Sequence, residues 1–170
     1  MRASLCILAT ACLAATPIAS GALGGAAGAA EPATRTPYGP VTTDPVVLTD
    51  LCAFPVTVTG TQSGYLVDRP LSSGGDQLIL HGTETDVFGA NGHTLTGLPY
   101  TSTIQAVTDV DGNFISFTSE GVTEHVPLPQ GGEFFAAGRI DWLTHPDAFT
   151  LINPDHGRLG NVEGLCAALA

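Results

Sequence analysis

Apolar residues recur at every second position from Phe54 onward, and that period leaves room for little besides β-structure. In "FPVTVTG", Phe54, Val56 and Val58 fall on one face, with Thr57 and Thr59 on the other. This is the pattern of a half-buried strand rich in β-branched residues. "GEFFAAGRIDW" repeats it. Phe134, Ala136, Gly138, Ile140 and Trp142 share a face, while Glu133, Arg139 and Asp141 point away. "DQLILHG" is a continuous apolar run and reads as a short strand buried on both sides. No stretch beyond the first thirty residues carries a 3.6-residue apolar stripe with caps. Gly and Pro punctuate the chain roughly every eight to twelve residues, as in all-β domains.

One hairpin is readable in detail. "TIQAVTDVDGNFISFTS" holds Asp111-Gly112 between two strand-like runs. Asp-Gly predicts a two-residue type I′ turn, which needs positive φ at both central positions. That turn sets Val110 against Asn113, Thr108 against Ile115, Ala106 against Phe117 and Ile104 against Ser119. Ile104, Ala106, Ile115 and Phe117 then form one apolar patch. "DVDGN" also resembles a calcium loop, and Glu120 stands at the twelfth position from Asp109. Gly112 comes at the fourth position of that loop where an EF-hand needs its glycine at the sixth, so the turn is the better reading. Short connections favour antiparallel pairing. The expected fold is all-β, an antiparallel β-sandwich of about eight or nine strands, with a flattened β-barrel as the alternative.

The first thirty residues stand apart. Arg2 is the only charge before Glu31, "LCILATACLAA" is apolar, and Pro17 leads into "GALGGAAGAA". This is the pattern of a secretory signal peptide over residues 1–30, cut between Ser20 and Ala30. Its apolar run is shorter than the ~20 residues that span a bilayer. A lipid on Cys12 is the competing reading, but Ala9 stands where such signals carry leucine. Residues 31–49, rich in proline, read as a disordered or extended leader. The folded domain is expected over residues 50–170.

Removing the signal removes Cys6 and Cys12 and leaves Cys52 and Cys166. In an oxidising compartment that pair predicts a disulfide, tying the first strand to the last segment. There is no CxxC or Cys/His cluster for a metal. All sixteen acids lie at or beyond Glu31, against four arginines and no lysine. Such a field repels nucleic acid and anionic membranes, so neither is expected as a partner.

Two ends of the domain carry a likeness. "LCAFPV" and "GRLGNVEGLCAALA" resemble uncharacterised secreted actinobacterial proteins with a Cys-x-Phe-Pro-Val start and a C-terminal cysteine. The matching positions are Cys52, Phe54, Pro55 and Val56, then Gly157, Arg158, Leu159 and Cys166. The resemblance implies secretion and one disulfide, and no activity, ligand or catalytic residue.

Candidate chemistry is sparse. "WLTHPDAFTLINPDHGR" gathers His145, Asp147, Asp155 and His156, with Asp141 nearby, as weak ligand-site candidates; turn sequences on an acidic surface explain the same residues. Glu120 and Glu124 lie four apart and would share a strand face, as a carboxylate pair or as two exposed acids. Glu124 and His125 point to opposite faces. Ser63 in "GTQSG" lacks a nucleophile elbow. Phe135 and Tyr100 are candidate exposed aromatics, although packing in a second layer is the simpler explanation. No cofactor is expected and no catalytic residue is assigned. The expected function is a secreted binding module for an unknown extracellular ligand or protein. The alternative is a small extracellular hydrolase or isomerase using carboxylate and His residues.

Overall fold

The computed structural model describes residues 32–144 and 155–170. The signal segment, and His145 and Asp147, lie outside the described residues. Nine strands and one helix follow in order: β1 Thr34–Thr42, β2 Val46–Leu48, β3 Val56–Pro70, β4 Asp76–Ala90, β5 His93–Thr96, β6 Tyr100–Thr108, β7 Phe114–Pro127, β8 Glu133–Asp141, β9 His156–Gly160 and α1 Val162–Ala168. All pairs are antiparallel. The sheet runs β1-β3-β4-β6-β7-β8-β9, with β2 beside β3 and β5 beside β4. The fold is therefore all-β, an antiparallel, sandwich-like arrangement of nine strands. No described residues pair β1 with β9, so the alternative of a closed barrel does not hold. The sheet curls until its halves meet: Phe88 of β4 lies edge-on to Phe134 of β8, with ring centroids 5.9 Å apart.

Glycine permits that curl. In the ladder Gly64 pairs with Gly82, Gly82 with Ser102, Ser102 with Gly121, Gly121 with Gly138 and Gly138 with Gly157. This row of small residues crosses six strands. A side chain at Gly138 would run into the carbonyl oxygen of His156, and one at Gly64 into that of His81. Interior strand glycines of this kind mark tight bends where backbones approach closely.

The apolar core fills one end of the curl. Leu48 of β2, Val56 of β3, Phe88, Leu95 of β5, Val126 of β7, Phe134 and Ala136 of β8, and Leu165 and Leu169 pack there. Burying each large side chain contributes about 1.5–3 kcal/mol. Cys52 and Cys166 are joined, with Cα atoms 5.6 Å apart. The bridge ties the segment before β3 to α1, the last segment, as expected, but the strand that follows Cys52 is the third and not the first.

Several expectations are corrected. The segment read as a leader supplies β1 and β2, both paired with β3, so the folded unit begins at β1 and not near residue 50. "DQLILHG" belongs to a 15-residue strand, and Leu78, Ile79 and Leu80 are only partly buried. The helix α1 was not expected; Asn161 caps it by accepting a hydrogen bond from the Gly164 N–H. The β6–β7 turn is not type I′. Gly112 N–H donates to Asp109 O, and Gly112 alone within the turn has positive φ, at 80°. The Asp109 carboxylate accepts from the Asp111 and Asn113 N–H groups, which fixes this longer loop. Thr108 then pairs with Phe114 instead of Ile115, while Val107 keeps Ser116 as expected. Ile104 against Ser119 and Ala106 against Phe117 are as expected. Ile115 leaves the apolar patch and is exposed, while Phe114 stacks on Phe117.

Candidate functional site: a buried acidic cavity

Beyond the apolar core, the concave face turns polar. β4 carries Glu84, Asp86 and Phe88 at alternate positions, so the two acids point the same way as a core phenylalanine. The ladder then brings matching positions together. Gly60 lies opposite Asp86, Gln62 opposite Glu84, and Glu84 opposite Tyr100. On β7 the register shifts between Val122 and Glu124. That bulge throws Glu124 out of phase with Glu120, so it faces inward with Val126, two residues on. Asp86 and Glu124 are each only 4% exposed.

These side chains, with Thr43, Val46, Leu48, Val58, Ile104 and Trp142, line a cavity of about 80 Å³. Tyr100 Oη donates to Asp86 Oδ2 at 2.5 Å, and Gln62 Nε2 donates to Glu84 Oε1 at 2.7 Å. Asp86 also lies within hydrogen-bonding reach of both Glu84 and Glu124. Three carboxyls thus share one pocket, and none of its described lining residues is Arg, Lys or His. A side chain at Gly60 would strike the Glu84 and Asp86 carboxylates, so the glycine leaves them their space.

The electrostatic consequence is large. Burial, then the Glu84 charge, pushes the Asp86 carboxyl up to about 7. Burial raises Glu84 as well. Burial, then the charges of Asp86 and Glu84, raises Glu124 well above the usual carboxylate range. Burial and the same three acids raise the Tyr100 phenol, which stays neutral and donates. The cluster therefore holds protons at neutral pH, because a second or third buried negative charge has no counter-charge.

Four residues of this lining each carry a buried polar atom with no hydrogen-bond partner in the protein: Ser119 Oγ, Thr123 Oγ1, Glu124 Oε2 and Trp142 Nε1. Leaving such a group unmet costs about 1–3 kcal/mol. Four around one cavity mark it as the candidate site for a small polar occupant.

The sites expected from sequence fall elsewhere. Asp155 Oδ2 accepts from the Asp141 N–H at 2.6 Å, and His156 is exposed on β9 opposite Arg139. Both lie off the described cavity lining. Among the described residues, no three His, Cys, Asp or Glu side chains are grouped to hold a metal ion. Glu120 and Glu124 do not share a face, because the bulge intervenes. Glu120 is exposed beside Arg139, 3.7 Å away, and Glu124 is buried. Glu124 and His125 do point opposite ways; His125 meets Glu133 at 2.8 Å. Tyr100 is buried, not exposed, and Phe135 is half-buried against His125. Ser63 is exposed on β3. Glu84 and Asp86 were missed, although their phase with Phe88 in "ETDVF" is a signal of an inward face.

The fold and cavity define a disulfide-bridged, all-β antiparallel domain with a buried acidic pocket. No described helix is long and apolar enough to cross a membrane. No protein family, no curated protein and no solved structure matches the chain.

Proposed function

We propose that this is a secreted, non-catalytic binding module whose ligand is a small polar molecule held in the acidic cavity. The observation that carries the reading is the set of four lining residues, each with an unpartnered buried polar atom. Secretion rests on the signal-like first thirty residues and on the disulfide, which persists in oxidising compartments. The resemblance of the Cys52 and Cys166 segments to secreted actinobacterial proteins supports the same address. The acidic net charge argues against nucleic acid and anionic membranes as partners. The pocket is far smaller than the ~300–1,000 Å³ of drug-sized sites, so the ligand has few heavy atoms.

A thermal-shift screen of small polar molecules tests the reading. Ligands should raise the Tm of the wild type and leave Ser102→Leu, which fills the cavity, unmoved. Equal shifts in both proteins would place binding elsewhere and refute the assignment. Secreted material should begin between residues 20 and 32 without lipid; N-terminal sequencing that found Cys12 lipidated would refute the address.

A second reading, a small extracellular hydrolase or isomerase, is favoured by one observation. Asp86 titrates at about 7 inside a cavity, where a carboxyl exchanges protons readily near neutral pH. Turnover of a cavity ligand, lost in Asp86→Asn, would decide for it; saturable binding without turnover decides for the module.

A further inference from the structure

Three carboxyls set the chemistry of whatever fills the cavity. Glu84 and Asp86 enter from β4 and Glu124 from β7, and the described lining offers no cationic side chain. An anion is repelled. A neutral polyol satisfies hydrogen bonds but leaves any charge on the cluster unpaired in a low-dielectric site, which is costly. A compact organic cation supplies the missing counter-charge and several donors at once.

Unpartnered atoms outside the acid cluster, on Ser119, Thr123 and Trp142, narrow the class further. Ser119 is 4% exposed and its hydroxyl has no partner. Trp142 Nε1 is a donor only, so the occupant must bring an acceptor. Glu124 Oε2 accepts when ionised. Val46, Leu48, Val58 and Ile104 give the pocket apolar walls, which suit a short alkyl chain. Resting on the binding reading above, we infer that the ligand is a small organic ammonium that also carries an oxygen acceptor, an amino alcohol in its simplest form.

Proton linkage follows from the geometry. The titratable groups facing the cluster are Glu84 and Asp86 from β4, Tyr100 from β6 and Glu124 from β7. β2, β3 and β8 contribute none to the described lining. Tyr38 of β1 feels the Glu84 charge from the neighbouring pocket. The ammonium needs ionised carboxylate, so it displaces protons that the empty cluster holds. Affinity therefore weakens as pH falls below about 7, by about tenfold per pH unit for each proton displaced.

The chain has one tryptophan, so the Trp142 indole N–H gives a single resonance in a ¹H–¹⁵N spectrum. The probes are 4-amino-1-butanol and its neutral counterpart, 1,4-butanediol, each titrated to about 10 mM at pH 5.5 and 7.5. The amino alcohol should move the indole resonance saturably at pH 7.5, with Kd at least tenfold higher at pH 5.5. The diol should not move it. Glu124→Gln should raise the Kd at pH 7.5 at least tenfold, while Glu120→Gln on the outer face leaves it unchanged. If Glu124→Gln does not fold, the wild-type pH dependence decides. Diol binding as tight as amino-alcohol binding, or a Kd independent of pH, overturns the ammonium assignment and leaves the binding module standing. A resonance moved by neither probe overturns the ammonium assignment; the thermal-shift screen then decides whether the cavity binds anything.

Discussion

Replacing Asp86 by asparagine should remove a pH dependence of stability that runs opposite to that of most proteins. Asp86 titrates at about 7 in the folded state against an ordinary 3.8. Between those values the folded protein binds more protons than the unfolded chain, so stability falls as pH rises. The stabilisation is fully present below about pH 4 and is lost by about pH 7. Between pH 4.5 and 7.5 the loss is worth roughly 3 kcal/mol at 1.36 kcal/mol per pH unit. Unfolding roughly 140 residues at ~2.1 cal/mol/K each gives an entropy near 0.3 kcal/mol/K. The wild-type Tm should therefore drop by about 10 °C over that range. Glu84 and Glu124 are raised too and act in the same direction. Asp86→Asn keeps an acceptor for the Tyr100 hydroxyl and should flatten the curve by most of that amount. Thermal denaturation followed by circular dichroism in buffers of constant ionic strength measures it. A wild-type Tm that rises toward pH 7.5, or an Asp86→Asn curve parallel to the wild type, would refute the reasoning.

Three further outcomes can be checked. The Cys52→Ser, Cys166→Ser double variant releases a 114-residue separation, worth about 4.8 kcal/mol in unfolded-chain entropy, so its Tm should fall by about 16 °C; a fall under about 5 °C contradicts this. Gly112→Val should cost about 1–2 kcal/mol in urea denaturation and Asp111→Asn close to nothing, because Gly112 alone in that turn has φ near 80°; equal midpoints count against the turn. Gly138→Ala should destabilise by about 3 kcal/mol or more, since its Cβ meets the His156 carbonyl; a neutral effect would mean the strands can separate along the glycine row.

The strands that face the core were legible because burial on one face imposes a period of two. Phe134, Ala136 and Ile140 on β8 are fully buried where the alternation put them. β1 was not legible because it is exposed along almost its whole length, so it carries no alternation, and Pro37 and Pro40 are tolerated on an edge strand. α1 has seven residues and buries little besides Leu165, with Leu169 capping its end, too short a stripe to stand out. The hairpin register failed only at its tip, where Asp109 captures the turn through its own carboxylate. The acidic cavity was hidden for a different reason. Charged residues in strands default to the wet face, and only their phase with Phe88 and Val126 contradicts that default. At Glu124 the bulge also breaks the phase with Glu120, which a single sequence does not announce.

The most direct measurement is a carboxyl ¹³C titration of the folded protein, resolving Glu84, Asp86 and Glu124. The account predicts that these three stay protonated above the exposed acids, with Asp86 at its midpoint near 7, and that the cluster releases protons when an amino alcohol is added at pH 6.5. Three independent midpoints near the ordinary 3.8–4.5, unmoved by the ligand, would contradict a sequestered acidic cluster and the site built on it.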